Sequence, residues 1–439
     1  MRYHFVGIAG SGMSALAQIL SDANVSGSDR YYDLGINTEL FDKFKTAGIS
    51  MFKQDGSGIE EDVNKVIVST AIEDDNPDIK KAREKNIPVV RRAELLAEIF
   101  NASKVGIGVT GTSGKTTTTA MIGVILHQLG LAPTIINGGI MKDFNNNCLK
   151  GNSELMIIEA DESDGSCELY KPTIGVVTNI HLDHKPLDEL EVIFSKFATN
   201  VKETLILNAD CHPDLKSKTS FGIEKKATIH PTKLKLYPQK SHFSLENTQY
   251  ILPLPGIHNV YNALAAIAVV KTLGFSDKEI SEALGKFKGI KRRLEIVGKK
   301  KGITVIDDYA HNPDKIKATL ITLKGQFPKV IVIFQPHGFG PTRLLKQGFI
   351  QIFKEELRPE DILYMPEIYY VGGTATKDIS SNDIITALQK EGLQAIYCPE
   401  RRKIIPQVIE KVSSGEAVII MGARDDTLSK FCLDILAKL

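Results

Sequence analysis

The chain has 439 residues, with 54 basic against 53 acidic, a formal net charge of +1, 42% hydrophobic and 24% charged residues. This composition excludes a disordered, collagen-like or low-complexity protein, and the near-balanced charge provides no global field for nucleic acid or an anionic membrane, so neither is expected as a partner. The length exceeds one ordinary core and implies about two to four domains.

The five cysteines, Cys148, Cys167, Cys211, Cys398 and Cys432, are scattered without a C-x-x-C pair, as in a protein kept reduced. The opening M-R-Y-H-F-V-G-I-A-G has a short apolar run broken by glycine, which predicts a buried strand rather than a signal peptide. No apolar stretch of about 20 residues is present to span a bilayer, so a cytoplasmic location is expected.

Strand-like and helix-like segments alternate throughout, predicting an α/β protein with parallel layers in three blocks. Residues 1–103 open with a strand at Tyr3–Gly7, a glycine turn and a helix through Met13–Leu20. Strands at Lys65–Ser69 and Pro88–Val90 and a helix over Ala93–Ala102 complete this block. Residues 104–291 begin with a strand at Val105–Val109, a glycine-rich turn and a helix over Thr116–Leu129. Strands follow near Leu155–Ile158 and Ile174–Thr178, then a polar strand-rich stretch and a helix over Val260–Leu273. Residues 292–439 carry strands at Ile303–Ile306, Lys329–Phe334, Ile362–Met365, Ala395–Tyr397 and Ala417–Met421, a further open sheet. The lysine-rich stretch Lys225–Lys240 reads as a solvated edge.

The strongest local signal is G-T-S-G-K-T-T, comprising Gly111, Thr112, Ser113, Gly114, Lys115, Thr116 and Thr117, between a strand and a helix. Backbone N–H groups in such a turn cradle phosphates; Lys115 would neutralise the β- and γ-phosphates of ATP and the Thr116 hydroxyl would reach Mg²⁺. The longer form of this motif places glycine at position 109, where this chain has Val109. Next, I-I-E-A-D-E-S-D is an apolar strand ending in Glu159, Asp161, Glu162 and Asp164, oxygen donors suited to Mg²⁺. A third strand, V-V-T-N-I-H-L-D-H, ends at His184, either a second metal ligand or a loop histidine. Three adjacent strands of one sheet would bring these ends together.

In L-P-G-I-H-N-V-Y-N-A, Asn259 and Asn262 lie three apart at a helix start and share a face, a pair better explained by nucleotide contacts than by capping. At the N-terminus, Gly10-x-Gly12-x-x-Ala15 opens a helix and Asp29 ends the second strand, the pattern of a turn that holds a pyrophosphate. A nicotinamide-dependent oxidoreductase would use the same turn, but it has no need of the ATP apparatus a hundred residues later.

In this order, together with G-x-x-R-R ahead of D-D-Y-A-H-N-P and F-Q-P-H, the motifs resemble the Mur peptide ligase family over essentially the whole chain. The short loop G-T-x-G-K-T is that family's form, which accounts for Val109. The resemblance implies three domains: an N-terminal Rossmann-like domain (1–103) for a UDP-sugar, a central P-loop ATPase-like parallel sheet (104–291), and a C-terminal Rossmann-like domain (292–439) for the incoming amine. It implies a ligase of peptidoglycan precursor synthesis that activates a carboxylate as an acyl phosphate with ATP and Mg²⁺. Within the family the chain is most similar to the branch joining UDP-N-acetylmuramate to L-alanine. The branch that joins a recycled tripeptide to the same sugar is the nearest alternative, and a non-catalytic nucleotide-binding regulator is a rival of another class.

By resemblance, Gly10, Ser11, Gly12, Met13, Ser14 and Asp29 contact the UDP-sugar. Lys115 binds phosphate, while Thr116, Glu159 and His184 organise magnesium. Arg293 and Asp308 reach the nucleotide, Asn259 and Asn262 lie near adenine, and His311, His337 and Arg343 serve the amine side. The family has arginines at the first and fourth positions after F-Q-P-H. Here those positions are Gly338 and Pro341, and the D-D-Y motif carries Ala310 and Asn312. A monomer or weak homodimer is expected.

Overall fold

The computed structural model describes residues 1–163, 165–181, 186–211, 217–370 and 376–439. The chain forms two compact units: Met1–Leu234, Phe243–Leu252 and Asn259–Lys288 make the first, and Lys235–His242, Pro253–His258 and Gly289–Leu439 the second.

The first unit contains two sheets. Strands β1 (Arg2–Val6), β2 (Asn24–Ser28), β3 (Ser50–Phe52), β4 (Lys65–Val68) and β5 (Val89–Arg91) form a parallel sheet in the order β3-β2-β1-β4-β5. The central β1 ends where Gly7, at φ +74, turns the chain into the helix Ser11–Ile19. A left-handed backbone of this kind favours glycine, which ends the strand one residue before the sequence pattern does.

The second sheet has β6 (Val105–Thr110) at its centre. Strands β7 (Thr134–Met141), β8 (Asn146–Leu149), β9 (Leu155–Glu159), β10 (Ile174–Val177), β11 (Thr204–Asn208) and β12 (Thr219–Phe221) complete it, in the order β12-β11-β10-β6-β9-β7-β8. Only the β7–β8 pair is antiparallel. The helix Lys115–Gln128 follows β6 and is buried from Thr116 to Leu126. Four successive threonines are poor helix formers, so packing rather than propensity sustains this helix.

Aromatic packing closes the sheet's opposite face. A Cβ at Gly108 on β6 would lie 3.3 Å from the Phe197 ring, and one at Gly175 on β10 would lie 3.2 Å from it. The two glycines thus admit a fully buried phenylalanine from helix Leu187–Thr199 directly onto adjacent strands.

Strands β13 (Thr232–Leu236), β14 (Ser241–Leu245) and β15 (Thr248–Leu252) occupy the polar stretch the sequence marks as strand-rich. The second unit is built on β16 (Glu295–Lys300), β17 (Ile303–Asp308), β18 (Val330–Phe334), β19 (Ile362–Met365), β20 (Ala395–Tyr397) and β21 (Ala417–Met421), ordered β16-β17-β21-β18-β19-β20. All neighbours are parallel except the edge strand β16. Helices Pro313–Lys324, Phe339–Glu356 and Ser381–Lys390 bury one face through Leu320, Phe353 and Leu388. Helices Ile404–Lys411 and Thr427–Lys438 cover the other through Val408 and Phe431. Because β21 is inserted between β17 and β18 and its helices lie on the opposite face from theirs, the connections diverge on both sides of β21. Such a topological switch is where open α/β sheets leave a crevice for ligands.

The predicted α/β class holds. Among the described residues no helix is long and apolar enough to cross a membrane. Phe197→Ala is expected to cost about 3–5 kcal/mol by opening a cavity against β6 and β10. Urea unfolding of the first unit, followed by far-UV circular dichroism, measures this.

Candidate functional site

At the carboxyl end of the second sheet, β10, β6 and β9 lie side by side, and the three chemistry-bearing segments leave their ends together. Val109 pairs with Glu159 and Thr110 with Val177, so the loop at 111–114 emerges between the acid cluster and the T-N-I segment. Gly111 has φ +124 and Gly114 φ +87, conformations that let successive backbone N–H groups face a common point.

Asn179 holds this loop. Its Oδ1 accepts from the Ser113 N–H at 2.9 Å and from the Thr112 hydroxyl at 2.7 Å, while its Nδ2 donates to the Ser113 carbonyl at 2.9 Å. The Thr178 hydroxyl also donates to the Ser113 carbonyl, at 2.7 Å, and the His181 N–H donates to the Thr112 hydroxyl at 3.0 Å. Sequence reasoning valued T-N-I-x-x-D-H for its last histidine and missed Thr178 and Asn179. The available signal was two amide- and hydroxyl-bearing residues at the end of an apolar strand beside the loop. His184 itself lies outside the described residues, as does Asp164.

Lys115 Nζ donates to the Gly111 carbonyl at 2.7 Å and to Glu162 Oε2 at 2.6 Å. Burial alone would discharge this amine, but Glu162, Asp161 and Glu159 outweigh it and hold the lysine pKa above its ordinary value. Burial raises the Glu162 carboxyl, with Lys115 offsetting only part of that rise. For Asp161 burial is outweighed by Lys115 and by hydrogen bonds from Ser163, and the carboxyl titrates below its ordinary value.

Glu159, at the end of β9, accepts from the Thr116 hydroxyl at 2.9 Å through one oxygen and from the Gly138 N–H at 2.7 Å through the other. The Thr116 and Glu159 oxygens are hard donors that suit Mg²⁺. Among the described residues no group of three or more His, Cys, Asp or Glu side chains forms a metal cluster.

Asn262 Nδ2 lies 3.4 Å from Asn259 Oδ1, so the two asparagines do share a face. Asn262 also accepts from the Thr118 hydroxyl at 3.4 Å, and a Cβ on Gly114 would lie 2.3 Å from its Oδ1. The helix Ile257–Thr272 therefore braces the 111–114 loop and the helix after it.

At the N-terminal turn, Asp29 is largely buried and accepts from the N–H groups of Ala9 at 2.8 Å and Tyr31 at 2.9 Å. Helix Ser11–Ile19 begins after Gly10 with no side-chain cap, Met13 and Ser14 are buried in its first turn, and the Arg92 guanidinium would lie 3.2 Å from a Cβ on Gly12. Asn147 Nδ2 donates to the Ser11 carbonyl at 2.8 Å and Asn146 Nδ2 to Gln18 Oε1 at 2.9 Å, tying this turn to β8. Arg92, Asn146 and Asn147 were not singled out from sequence, because nothing in their local pattern marks them.

In the second unit, Asp308 ends β17 with both oxygens engaged: the N–H groups of Leu294 (2.6 Å) and Ala310 (2.7 Å) and the Thr319 hydroxyl (3.3 Å) donate to it. It thus fixes the segment that carries Arg293. Arg292 and Leu294 flank that residue with φ +60 and +47, and the guanidinium carbons of Arg292 and Arg293 each lie 5.0 Å from the centre of the Tyr309 ring. His311 and His337 meet with ring centroids 5.7 Å apart. Burial, Lys315 and neighbouring cations hold His311 well below its ordinary pKa, although its Nδ1 bonds the Tyr309 carbonyl at 2.8 Å. Arg343 is drawn to Asp378 and donates to the Thr376 carbonyl at 3.1 Å.

Three Mur ligase family models match this chain: the catalytic domain at residues 2–104, the middle domain at 109–270 and the glutamate ligase domain at 292–424. A UDP-N-acetylmuramate–L-alanine ligase of Geobacter sp. (strain M21) is 34% identical over 445 residues, spanning 96% of this chain and 94% of that protein. The chain belongs to the Mur ligase family. A ligase of the same name from Aquifex aeolicus is 35% identical over 459 residues, spanning 99% of this chain and 97% of the relative. The crystal structure of the UDP-N-acetylmuramate–alanine ligase MurC from Thermotoga maritima superposes with a TM-score of 0.82 at 29% identity, covering 100% of this chain and 99% of that one. As a Mur ligase, the chain is an ATP-dependent enzyme.

Gly111→Ala places a Cβ 2.1 Å from Thr178 Oγ1 at φ +124. The expected result is a loss of ATP affinity of tenfold or more, matching about 1–3 kcal/mol of strain, measurable by isothermal titration calorimetry. His258 carries a pKa lowered to about 4, by burial first and then by Arg293. Because the folded pKa is depressed, its contribution is present above the unfolded value of 6.5 and is lost as pH falls towards about 4, by at most roughly 3 kcal/mol. Denaturation midpoints of wild type and His258→Gln across pH 7.5 to about 4 should converge on acidification.

Proposed function

We propose that this chain joins UDP-N-acetylmuramate to L-alanine, with ATP cleaved to ADP and phosphate, in the cytoplasm. The observation that carries the reading is the Lys115 loop set between Asn179 and the Glu159–Glu162 acids, in a chain similar end to end to ligases of that name.

A carboxylate is a poor electrophile and needs a leaving group. The sugar carboxylate attacks the γ-phosphate, and the acyl phosphate formed is then attacked by the amine, which expels phosphate. Lys115 exchanges Glu162 for phosphate oxygens when ATP arrives, and the loop N–H groups from Gly111 to Thr117 hold the remaining charge. Thr116, Glu159 and, outside the described residues, His184 would hold Mg²⁺, which when bound supplies further neutralisation of the phosphates. Arg293, presented by the Asp308-anchored turn, adds positive charge to the transferring group, and Asn259 and Asn262 lie on the adenine side. We assign residues 1–103 to the UDP-sugar, through the Gly10–Ser14 turn and Asp29, residues 104–291 to ATP, and residues 292–439 to the amine. His311 is neutral at physiological pH and, with His337, lines the amine side.

Gly338 and Pro341 favour a second reading, the tripeptide ligase of recycling, because they leave the start of helix Phe339–Glu356 without a cation until Arg343. Phosphate release with ATP, Mg²⁺ and UDP-N-acetylmuramate is expected with L-alanine. Release with L-Ala-γ-D-Glu-meso-diaminopimelate and not with L-alanine supports the second reading, and release with neither overturns both. Arg293→Ala is expected to lower kcat by about 10²–10³-fold, the scale of one lost transition-state donor, in the same assay.

A further inference from the structure

The crevice on either side of β21 is bordered by the segments that follow β17, β18 and β21. The first two carry His311 and His337, and the third reads Gly422-Ala423-Arg424-Asp425. Its ends are pinned. The Gly422 N–H donates to the Asp308 carbonyl at 3.2 Å, and a Cβ on Gly422 would lie 2.8 Å from the Gln335 carbonyl. Asp425 is buried, pairs with Arg401 and accepts from the Thr427 N–H at 3.0 Å.

Between these fixed points Arg424 has φ +59 and an exposed side chain. A non-glycine residue in this conformation costs about 1–2 kcal/mol, and such strain persists where the surrounding structure fixes the backbone, as the pinned ends do here, and is common at ligand sites. Neither buried packing nor a structural ion pair accounts for it here. The neighbouring arginines are engaged: Arg292 with Asp307 and the Gly422 carbonyl, Arg343 with Asp378, and Arg401 with Asp425 and Thr427. Among the described residues Arg424 makes no such pair, and it stands at the carboxyl edge of the sheet.

We infer that Arg424 is a specificity-determining residue that binds the α-carboxylate of the incoming free amino acid. Arginine pairs with carboxylates through two parallel N–H···O bonds, which fixes both position and orientation. Held by a carboxylate one carbon away, the amino group is delivered in one orientation beside neutral His311. The inference rests on the proposed function and deepens it.

The test uses the full-length chain, Arg424→Gly and Arg424→Lys, with phosphate release followed against L-alanine and against L-alaninamide, whose carboxylate is masked. Glycine suits φ +59, so Arg424→Gly should melt no lower than wild type. Its KM for L-alanine should rise by about 10- to 100-fold, the scale of one charged hydrogen-bonded pair, with KM for ATP unchanged. The preference of wild type for L-alanine over L-alaninamide should vanish in Arg424→Gly and return in part in Arg424→Lys. An unchanged L-alanine KM, or an equal rise for both amines, overturns the inference and leaves the proposed function standing. If wild type accepts only the tripeptide, the proposed function fails and the inference with it, since a peptide's first residue has no free α-carboxylate.

Discussion

A lysine ammonium largely buried beside the 111–114 glycine loop demands a negative partner, and the carboxyl end of the second sheet is organised around that demand. Lys115 rests on the Gly111 carbonyl and Glu162, within a field to which Asp161 and Glu159 also contribute. An unpaired charge there would cost several kcal/mol, so the acids and the lysine are mutually required. The acids thus keep the ammonium charged while it is largely withdrawn from water. The two glycines and Asn179 hold the loop that presents this charge, and Asn262 supports it from behind.

The second unit answers a related constraint by different means. Asp308 is fully inside and takes its hydrogen bonds from backbone and Thr319, so its charge shapes the chain around Arg293 rather than pairing with a mobile group. Two guanidinium groups lie against the Tyr309 ring, that of Arg292, anchored by Asp307, and that of Arg293. Both units therefore gather charged side chains at the carboxyl ends of parallel strands, a lysine among acids in the first and paired arginines in the second.

The strand-and-helix alternation was legible because buried parallel strands read as apolar runs and covering helices as periodic ones. The β7–β8 hairpin and the edge strand β16 were not, since mixed polar strands such as N-N-C-L and E-I-V-G-K-K have no distinctive period. Around the 111–114 loop, Gly111, Gly114, Lys115 and, at the end of β9, Glu159 could be picked from local spacing. Asn179 could not be ranked above any other loop asparagine without knowing that its strand neighbours β6. Arg343 looked available as a bare residue letter, yet Asp378, 35 positions away, takes it.

By itself the sequence determined the class of fold, the order of its segments and the chemistry at each strand end, because local spacing of glycine, lysine and acids carries that information within a few residues. Tertiary structure alone decided which polar side chains hold the frame and which are left exposed at the strand ends. That division separates Arg293 from Arg292, makes Asp308 an anchor and leaves Arg424 strained at the edge of β21. It depends on partners far apart in the chain, brought together by strand order, and no local pattern encodes such a distance.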